Sequence, residues 1–353
     1  MFSEEDHVFM GRALELAVLG KGHVSPNPMV GCVIVHEGKI IGEGFHRQYG
    51  KKHAEVNAID SVKNPELLIK SKMYVTLEPC AHFGKTPPCA NLIAEKQIPE
   101  VIICNTDPHH RVAGKGIAIL NDNGIKVSYG LLEEEGRSLN KRFFTFHEKK
   151  RPYITIKWAQ TSDGFIAREN FDSKWISNAH SRMLVHKWRS EEMSILTGTN
   201  TAFYDNPTLN VRDWPGPDPL RLVLDLNDRL PKDLNLFKGP QKTVVFNLNK
   251  DEKKGSLNYT KVSKDYLLDD IVSYLHKNQI HSVFVEAGTR LMDALLEAGL
   301  WDEARIFISE KMFKNGIRAP RINGTLLGIN DISGDQLLTY KNEHGSNNYK
   351  VNR

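Results

Sequence analysis

Residues 76–89 read Thr-Leu-Glu-Pro-Cys-Ala-His-Phe-Gly-Lys-Thr-Pro-Pro-Cys, and an earlier triplet, His53-Ala54-Glu55, completes the pattern. One imidazole and two thiolates, from His53, Cys80 and Cys89, make the donor set of a tetrahedral catalytic zinc whose fourth position is left to water. Such an ion lowers the pKa of its water toward neutrality. Glu55 lies two residues beyond His53, in the first turn of an expected helix. The spacing predicts that it binds no metal and instead moves a proton from the water to a leaving amine. Cys80 follows an expected strand, Lys72–Leu77, where a helix N-terminus helps to hold its thiolate. A purely structural zinc would need a fourth protein ligand, for which His82 is the nearby candidate.

Outward from this motif the chain alternates in period. A helix is expected over residues 3–20, with Ser3 as its cap and Glu4 and Glu5 at the positive end of its dipole. Strands are expected at Val30–Val35 and Ile40–Phe45, joined by a hairpin turn, and at Val101–Asn105 and Ile125–Tyr129. Helices are expected at His53–Asp60, Cys89–Lys96 and Ile117–Asn123. Strands alternating with helices imply an α/β layer. Cys32 and Cys104 fall in apolar strand runs and read as core cysteines.

The composition changes at Phe146–Pro152, where charges and a proline follow a Phe-rich segment. That point divides the chain into domains 1–148 and 149–353, each with enough residues for its own core. A second alternating series follows, with strands at Tyr153–Trp158, Met193–Thr197, Leu220–Leu224, Thr243–Phe246, Ser282–Val285 and Ala304–Ile308. Helices are expected at Ala179–Arg189, Asp269–Lys277 and Leu291–Glu297. The polar segment Asn227–Asp265 gives no clear pattern.

The 353 residues carry a net charge of +4, too weak for a nucleic-acid or membrane surface. No run approaches the roughly 18 consecutive apolar residues of a membrane span, and the acidic N-terminus is unlike a secretory signal. Four cysteines in a chain of this length do not make a disulfide scaffold, so a reduced, cytoplasmic setting is expected.

The order His-x-Glu, Pro-Cys, Cys is the signature of zinc-dependent nucleobase deaminases. The long spacing between Cys80 and Cys89 departs from their usual Cys-x-x-Cys. The full string from Thr76 to Cys89, with Pro26-Asn27-Pro28-Met29-Val30-Gly31, resembles the deaminase domain of the bifunctional riboflavin-biosynthesis deaminase/reductases. In the second half, Lys157, Ala159, Ser162-Asp163-Gly164, Ser173-Lys174-Trp175-Ile176-Ser177, Thr201, Asp205-Asn206-Pro207, Leu209, Arg212 and Glu286-Ala287-Gly288 resemble the reductase domain of the same family, in its order. Two departures are Pro108-His109-His110, where the family more often has Asn after the proline, and Thr161-Ser162, where it usually has Ser-Leu.

The resemblance implies a cytidine-deaminase-like zinc domain followed by a dihydrofolate-reductase-like domain, one Zn2+ per chain, and NADPH. It implies that Asn27, His46, His82, Lys85 and Asp107 hold the pyrimidine and its ribose phosphate. It places Ala159, Trp175, Thr201, Asp205, Gly288, Thr289, Arg290, Leu291, Met292, Asp293 and Ala294 on the nicotinamide dinucleotide. Ser173, Arg189, Leu209, Arg212 and Glu286 are placed on the second substrate, with both arginines suited to phosphate. Lys157 has an electrostatic role at most. The implied activity is hydrolytic deamination of a diaminopyrimidinone ribosylamine 5-phosphate, then reduction of its ribosyl chain to ribityl. The expected partner is thus a phosphorylated pyrimidine, with no nucleic acid and no membrane, in a homo-oligomer. The rival reading is a nucleobase or tRNA deaminase with an unrelated second module.

Overall fold

A computed structural model of the chain describes residues 2–81, 88–109 and 112–343. It divides into two compact units, Met1–Glu148 and Lys149–Arg353.

The first unit opens with helix α1 (Glu4–Val18). Ser3 Oγ accepts from the Asp6 N–H, and the Asp6 carboxylate accepts from the Ser3 N–H. This reciprocal cap satisfies two donors that a helix start leaves without partners. Strands β1 (Gly31–His36) and β2 (Lys39–Phe45) form an antiparallel hairpin. Helix α2 (Ala54–Ser61) leads to β3 (Lys72–Leu77), α3 (Cys89–Glu95), β4 (Glu100–Asn105), α4 (Lys115–Asp122) and β5 (Lys126–Tyr129). The sheet order is β2-β1-β3-β4-β5, with β3, β4 and β5 parallel.

Alternate residues of β1 serve opposite faces. Cys32 and Ile34 join the core under Ala54, Ala58, Ile93 and Leu120, while Val33 and Val35 join the core under Phe9, Met10 and Leu16. A sheet covered on both faces reads as a continuous apolar run, which is why VGCVIV was legible as a strand. Gly31 lies where α1 presses on the sheet: a Cβ there would stand 1.9 Å from the Ala13 carbonyl oxygen. The Phe-rich stretch after β5 forms two helices the periodicity did not separate, α5 (Glu133–Leu139) and α6 (Lys141–Lys149). Phe143, Phe144 and Phe146 are buried.

The second unit holds a ten-stranded sheet and a small two-stranded one. In chain order its elements are β6 (Tyr153–Thr161), β7 (Phe165–Ala167), α7 (Ala179–Glu191), β8 (Ser194–Thr197), α8 (Thr199–Asp205) and β9 (Leu220–Leu224). Then come β10 (Thr243–Asn247), β11 (Glu252–Lys254), β12 (Leu257–Lys261), α9 (Leu267–Lys277), β13 (Ser282–Val285), α10 (Thr289–Glu297), β14 (Glu303–Ser309), β15 (Ile317–Arg318), β16 (Thr325–Ile332) and β17 (Asp335–Lys341). The large sheet runs β11-β12-β10-β9-β8-β13-β6-β14-β17-β16, parallel from β12 to β14 and antiparallel at both edges. The expected strand Thr243–Phe246 is β10, and the polar remainder of Asn227–Asp265 also supplies β11 and β12. The terminal hairpin β16–β17 was not foreseen, because β16 is exposed or half-exposed along its whole length and carries no buried period.

Arg151, fully buried, clamps Asp302 through two guanidinium nitrogens at 2.6 and 2.8 Å. Asp302 also accepts from the Ile154 N–H. The start of β6 is therefore pinned to the start of β14.

Candidate active sites

In the first unit His53 caps α2, Cys80 follows β3, and Cys89 is the first residue of α3. The sheet and its crossovers bring their ligand atoms within 4.8 Å of one another. His53 Nδ1 lies 3.3 Å from Cys89 Sγ and 3.6 Å from Cys80 Sγ. The Cys89 N–H donates to Cys80 Sγ at 3.2 Å, so a helix start does face a thiolate. Before a metal binds, the hydrogen bond from the Cys89 thiol holds Cys80 well below the ordinary thiol value, and the same thiolate pushes Cys89 well up. The hydrogen bond to Cys80 raises His53 to about 8. One imidazole and two converging sulfurs, one of them already a thiolate, fit a zinc ion.

Glu55 is buried beside this cluster, and burial raises its carboxyl to about 6. His46 packs edge-on to His53, ring centroids 5.4 Å apart. Its Nδ1 faces the Lys52 carbonyl at 3.1 Å, which fixes that nitrogen as donor and leaves Nε2 to accept from Asn27 Nδ2 at 3.1 Å. Asn27 and His46 thus stand together at the cluster. Asp107 follows β4, and burial raises its carboxyl to about 7, helped by the charges of Glu78 and Cys80. His82 and Lys85 lie outside the described residues. Cys32 and Cys104 are fully buried and do not belong to the ligand cluster.

In the second unit a cavity of about 1120 Å³ opens beside the carboxyl ends of β6, β8 and β13. Its lining includes Ala159, Ser173, Trp175, Arg189, Thr201, Asp205, Leu209, Arg212 and Glu286, together with Gly288, Thr289, Arg290, Leu291 and Ala294. The lining omits Met292, which is buried in the core, and Asp293. The reason is helical: from Gly288 onward the chain turns into α10, which shows only part of its circumference to the cavity.

Arg189 grips Glu286 with Nε and Nη2 at 2.6 and 3.0 Å. Lys157 Nζ stands 3.7 Å from the same carboxylate. Burial works against an ionised Glu286, but Arg189 and Lys157 outweigh it and hold the carboxyl down at about 2. Burial pulls Lys157 below its ordinary value. Ser173 Oγ donates to Asp205 at 3.0 Å. Trp175 is 59% exposed, with the Arg182 guanidinium 4.7 Å from its ring centroid. A half-exposed indole at a cavity mouth is a face free to stack.

Sequence reading passed over His186. Its Nδ1 faces the Arg212 N–H at 3.4 Å and its Nε2 the Asp213 carboxylate at 3.2 Å. Its signal was available: it precedes Arg189 by three residues on one helix face. Phe171 and Tyr204, stacked 4.3 Å apart in the cavity wall, carried no such signal.

Comparison with known proteins finds matches for both units. The family model for the cytidine and deoxycytidylate deaminase zinc-binding region matches residues 3–105, and that for the RibD C-terminal domain matches residues 152–318. The chain is 40% identical to the riboflavin biosynthesis protein RibD of Aquifex aeolicus over 325 residues, 90% of each chain. It is 34% identical to that of Escherichia coli over 337 residues, 89% of this chain and 90% of the relative. Among solved structures, RibD of Acinetobacter baumannii superposes with a TM-score of 0.88 at 32% identity, covering 96% of this chain and 99% of that one. The Thermotoga maritima diaminohydroxyphosphoribosylaminopyrimidine deaminase/5-amino-6-(5-phosphoribosylamino)uracil reductase gives 0.87 at 34%, with the same coverage.

Proposed function

From the premise that this chain belongs to the RibD family of bifunctional deaminase/reductases of riboflavin biosynthesis, we propose how its own residues divide the two reactions. The match over residues 152–318 removes the rival reading of a deaminase with an unrelated second module. The observation that carries the assignment is the convergence of His53, Cys80 and Cys89 with buried Glu55 beside them.

Deamination belongs to 1–148 and reduction to 149–353, a division that the two compact units support. His53, Cys80 and Cys89 hold the zinc. When bound, zinc supplies the Lewis acidity that makes a water nucleophilic near neutral pH. The Glu55 carboxylate takes a proton from the attacking water and returns it to the departing amino group. Its raised pKa suits both transfers, because a group near the working pH gives and takes with similar ease. Asn27, His46 and Asp107 orient the pyrimidine and its sugar, with His82 and Lys85 assigned by resemblance.

In the second unit NADPH supplies the hydride. Ala159, Trp175, Thr201, Asp205 and the start of α10 hold the dinucleotide. Ser173, Leu209, Arg189, Arg212 and Glu286 hold the deaminated substrate. Arg189 is already committed to Glu286 at 2.6 Å, whereas the half-exposed Arg212 side chain is held only loosely, 3.6 Å from Asp213, and is the better placed to take a phosphate. Glu286 and Lys157 present adjacent opposite charges at the cavity floor, where an opening sugar ring exchanges a proton.

The protein acts on a phosphorylated pyrimidine, in the cytoplasm and as a homo-oligomer. Four free cysteines fit the first setting. Leu327 and Ile329, 58% and 57% exposed on edge strand β16, fit the second. Among the described residues no helix is long and apolar enough to cross a membrane.

The deciding experiment supplies the diaminopyrimidine phosphate with NADPH and follows ammonia and NADPH absorbance together. Both should change in the holoenzyme. After chelation both should stop, and reduction alone should resume when deaminated substrate is added. Separate 1–148 and 149–353 fragments should divide the activities in the same way. Failure of chelated protein to reduce deaminated substrate would sink the division.

A further inference from the structure

Glu78 stands two residues before Cys80 and has no part in the chemistry above. Its side chain is buried, and four backbone N–H groups converge on its carboxylate. Oε2 accepts from Asp107 at 3.2 Å and from Gly114 at 3.1 Å. Oε1 accepts from Gly116 at 3.0 Å and from Ile117 at 3.3 Å. Gly114 caps α4, and Gly116 and Ile117 lie in its first turn. These are donors that the helix itself cannot satisfy, and an anion is favoured there.

The fit is close. A Cβ on Gly116 would come 2.0 Å from the Pro79 carbonyl oxygen and 3.2 Å from Glu78 Cγ, so α4 is seated directly on the Glu78-Pro79 backbone. The Glu78 N–H in turn donates to the Asn105 carbonyl at 2.9 Å, extending the pairing of β3 with β4. One side chain therefore ties three things together: the end of the strand that presents Cys80, the backbone of Asp107, and the helix that closes the loop between them. Asp107 Oδ1 accepts from the His109 N–H at 2.7 Å, so the direction of its carboxylate follows its backbone.

We propose that Glu78 is a positioning residue for deamination, fixing Asp107 relative to Cys80 and thereby setting affinity for the pyrimidine substrate without touching substrate or metal. This rests on the reading of Asp107 as a substrate contact. Glu78→Gln keeps the shape but turns an amide N–H2 toward two N–H donors, which repel it.

The test uses the full chain with zinc bound. Glu78→Gln should keep one zinc per chain and wild-type reduction of deaminated substrate. Its deamination KM should rise about tenfold with kcat little changed, the pattern of lost binding rather than lost chemistry. Asp107→Asn should raise KM similarly, and the double variant should be no worse than Asp107→Asn alone, because both act through one contact. Loss of zinc from Glu78→Gln, a fall in kcat at constant KM, or multiplicative effects in the double variant would each overturn the proposal. An unchanged KM in Asp107→Asn with a raised KM in Glu78→Gln would instead refute the role given to Asp107. Should Glu78→Gln not fold, Glu78→Asp decides: a raised KM at full zinc content supports the proposal, and a wild-type KM overturns it.

Discussion

The zinc site and the reductase cavity are built on opposite plans. Every proposed metal ligand lies between His53 and Cys89, at the starts of helices α2 and α3 and just past the end of strand β3. The cavity draws on residues from Lys157 to Ile317, placed by a sheet whose central strand pairs with segments more than a hundred positions later. The first site is specified by spacing, the second by topology. The first depends on a few irreplaceable atoms, and the second shares its binding among many contacts.

If that contrast is right, the largest single effect belongs to Glu55. Glu55→Gln should cut deamination by roughly 10²–10⁴-fold, the range for lost general acid–base catalysis. Zinc content and reduction of deaminated substrate should be unchanged. Metal analysis and the two assays check this, and a parallel fall in reduction would break the contrast.

Glu286→Gln tests the other plan. Arg189 would be left as a buried charge without its partner, which costs about 3–5 kcal/mol. Reduction should fall and the second unit should melt earlier, while ammonia release persists. The sign with pH also follows. A carboxyl held down at about 2 stabilises the fold above the unfolded pKa of about 4.3, and that stabilisation fades as pH falls toward 2. The stability gap between wild type and Glu286→Gln should therefore shrink on acidification below that point. A gap that widens in acid would show that the ion pair is not what holds Glu286.

A smaller effect sharpens the picture of the zinc site. Before metal binds Cys89 is a thiol and His53, raised to about 8, carries a second proton at neutral pH; zinc takes thiolate and neutral imidazole, so binding should release both. Apparent zinc affinity should then rise by about tenfold per pH unit for each proton released. Titration with a competing chelator at several pH values measures it, and a flat response below pH 8 would mean that both sulfurs are already thiolates and His53 is already neutral.

The smallest effects should come from Cys32→Ala and Cys104→Ala, at about 1 kcal/mol of stability each. Both activities and zinc should persist. Metal loss from either would show that the ligand set is misassigned.

Legibility in the sequence followed the same division. The hairpin β1–β2 and strands β3 and β4 announce themselves through apolar runs between turn residues, and the metal ligands through residue type and spacing. The β16–β17 hairpin stayed hidden because exposed edge strands carry no buried period. Arg189 and Glu286 were identifiable only by resemblance, since neither residue alone signals a bidentate pair formed across two elements. Glu78 was quoted as a letter of the motif, but its role is visible only once four N–H groups are seen around it. Met292 is the converse case: it lies in a consecutive run assigned to a cofactor by resemblance, and the helix turns its side chain into the core.

The placement of β6 also dictates an order of events during synthesis. Its hydrogen-bonding partners are β13 on one side and β14 on the other, and Arg151 at its head waits for Asp302. The first strand of the second unit thus leaves the ribosome with both edges bare, and stays so until most of the unit has been translated. Contacts of such long sequence separation slow folding, and bare strand edges invite association. The first unit, complete by then, has already closed its own sheet. A chain that terminates before β14 would therefore release a finished metal-site unit joined to an open, sticky sheet.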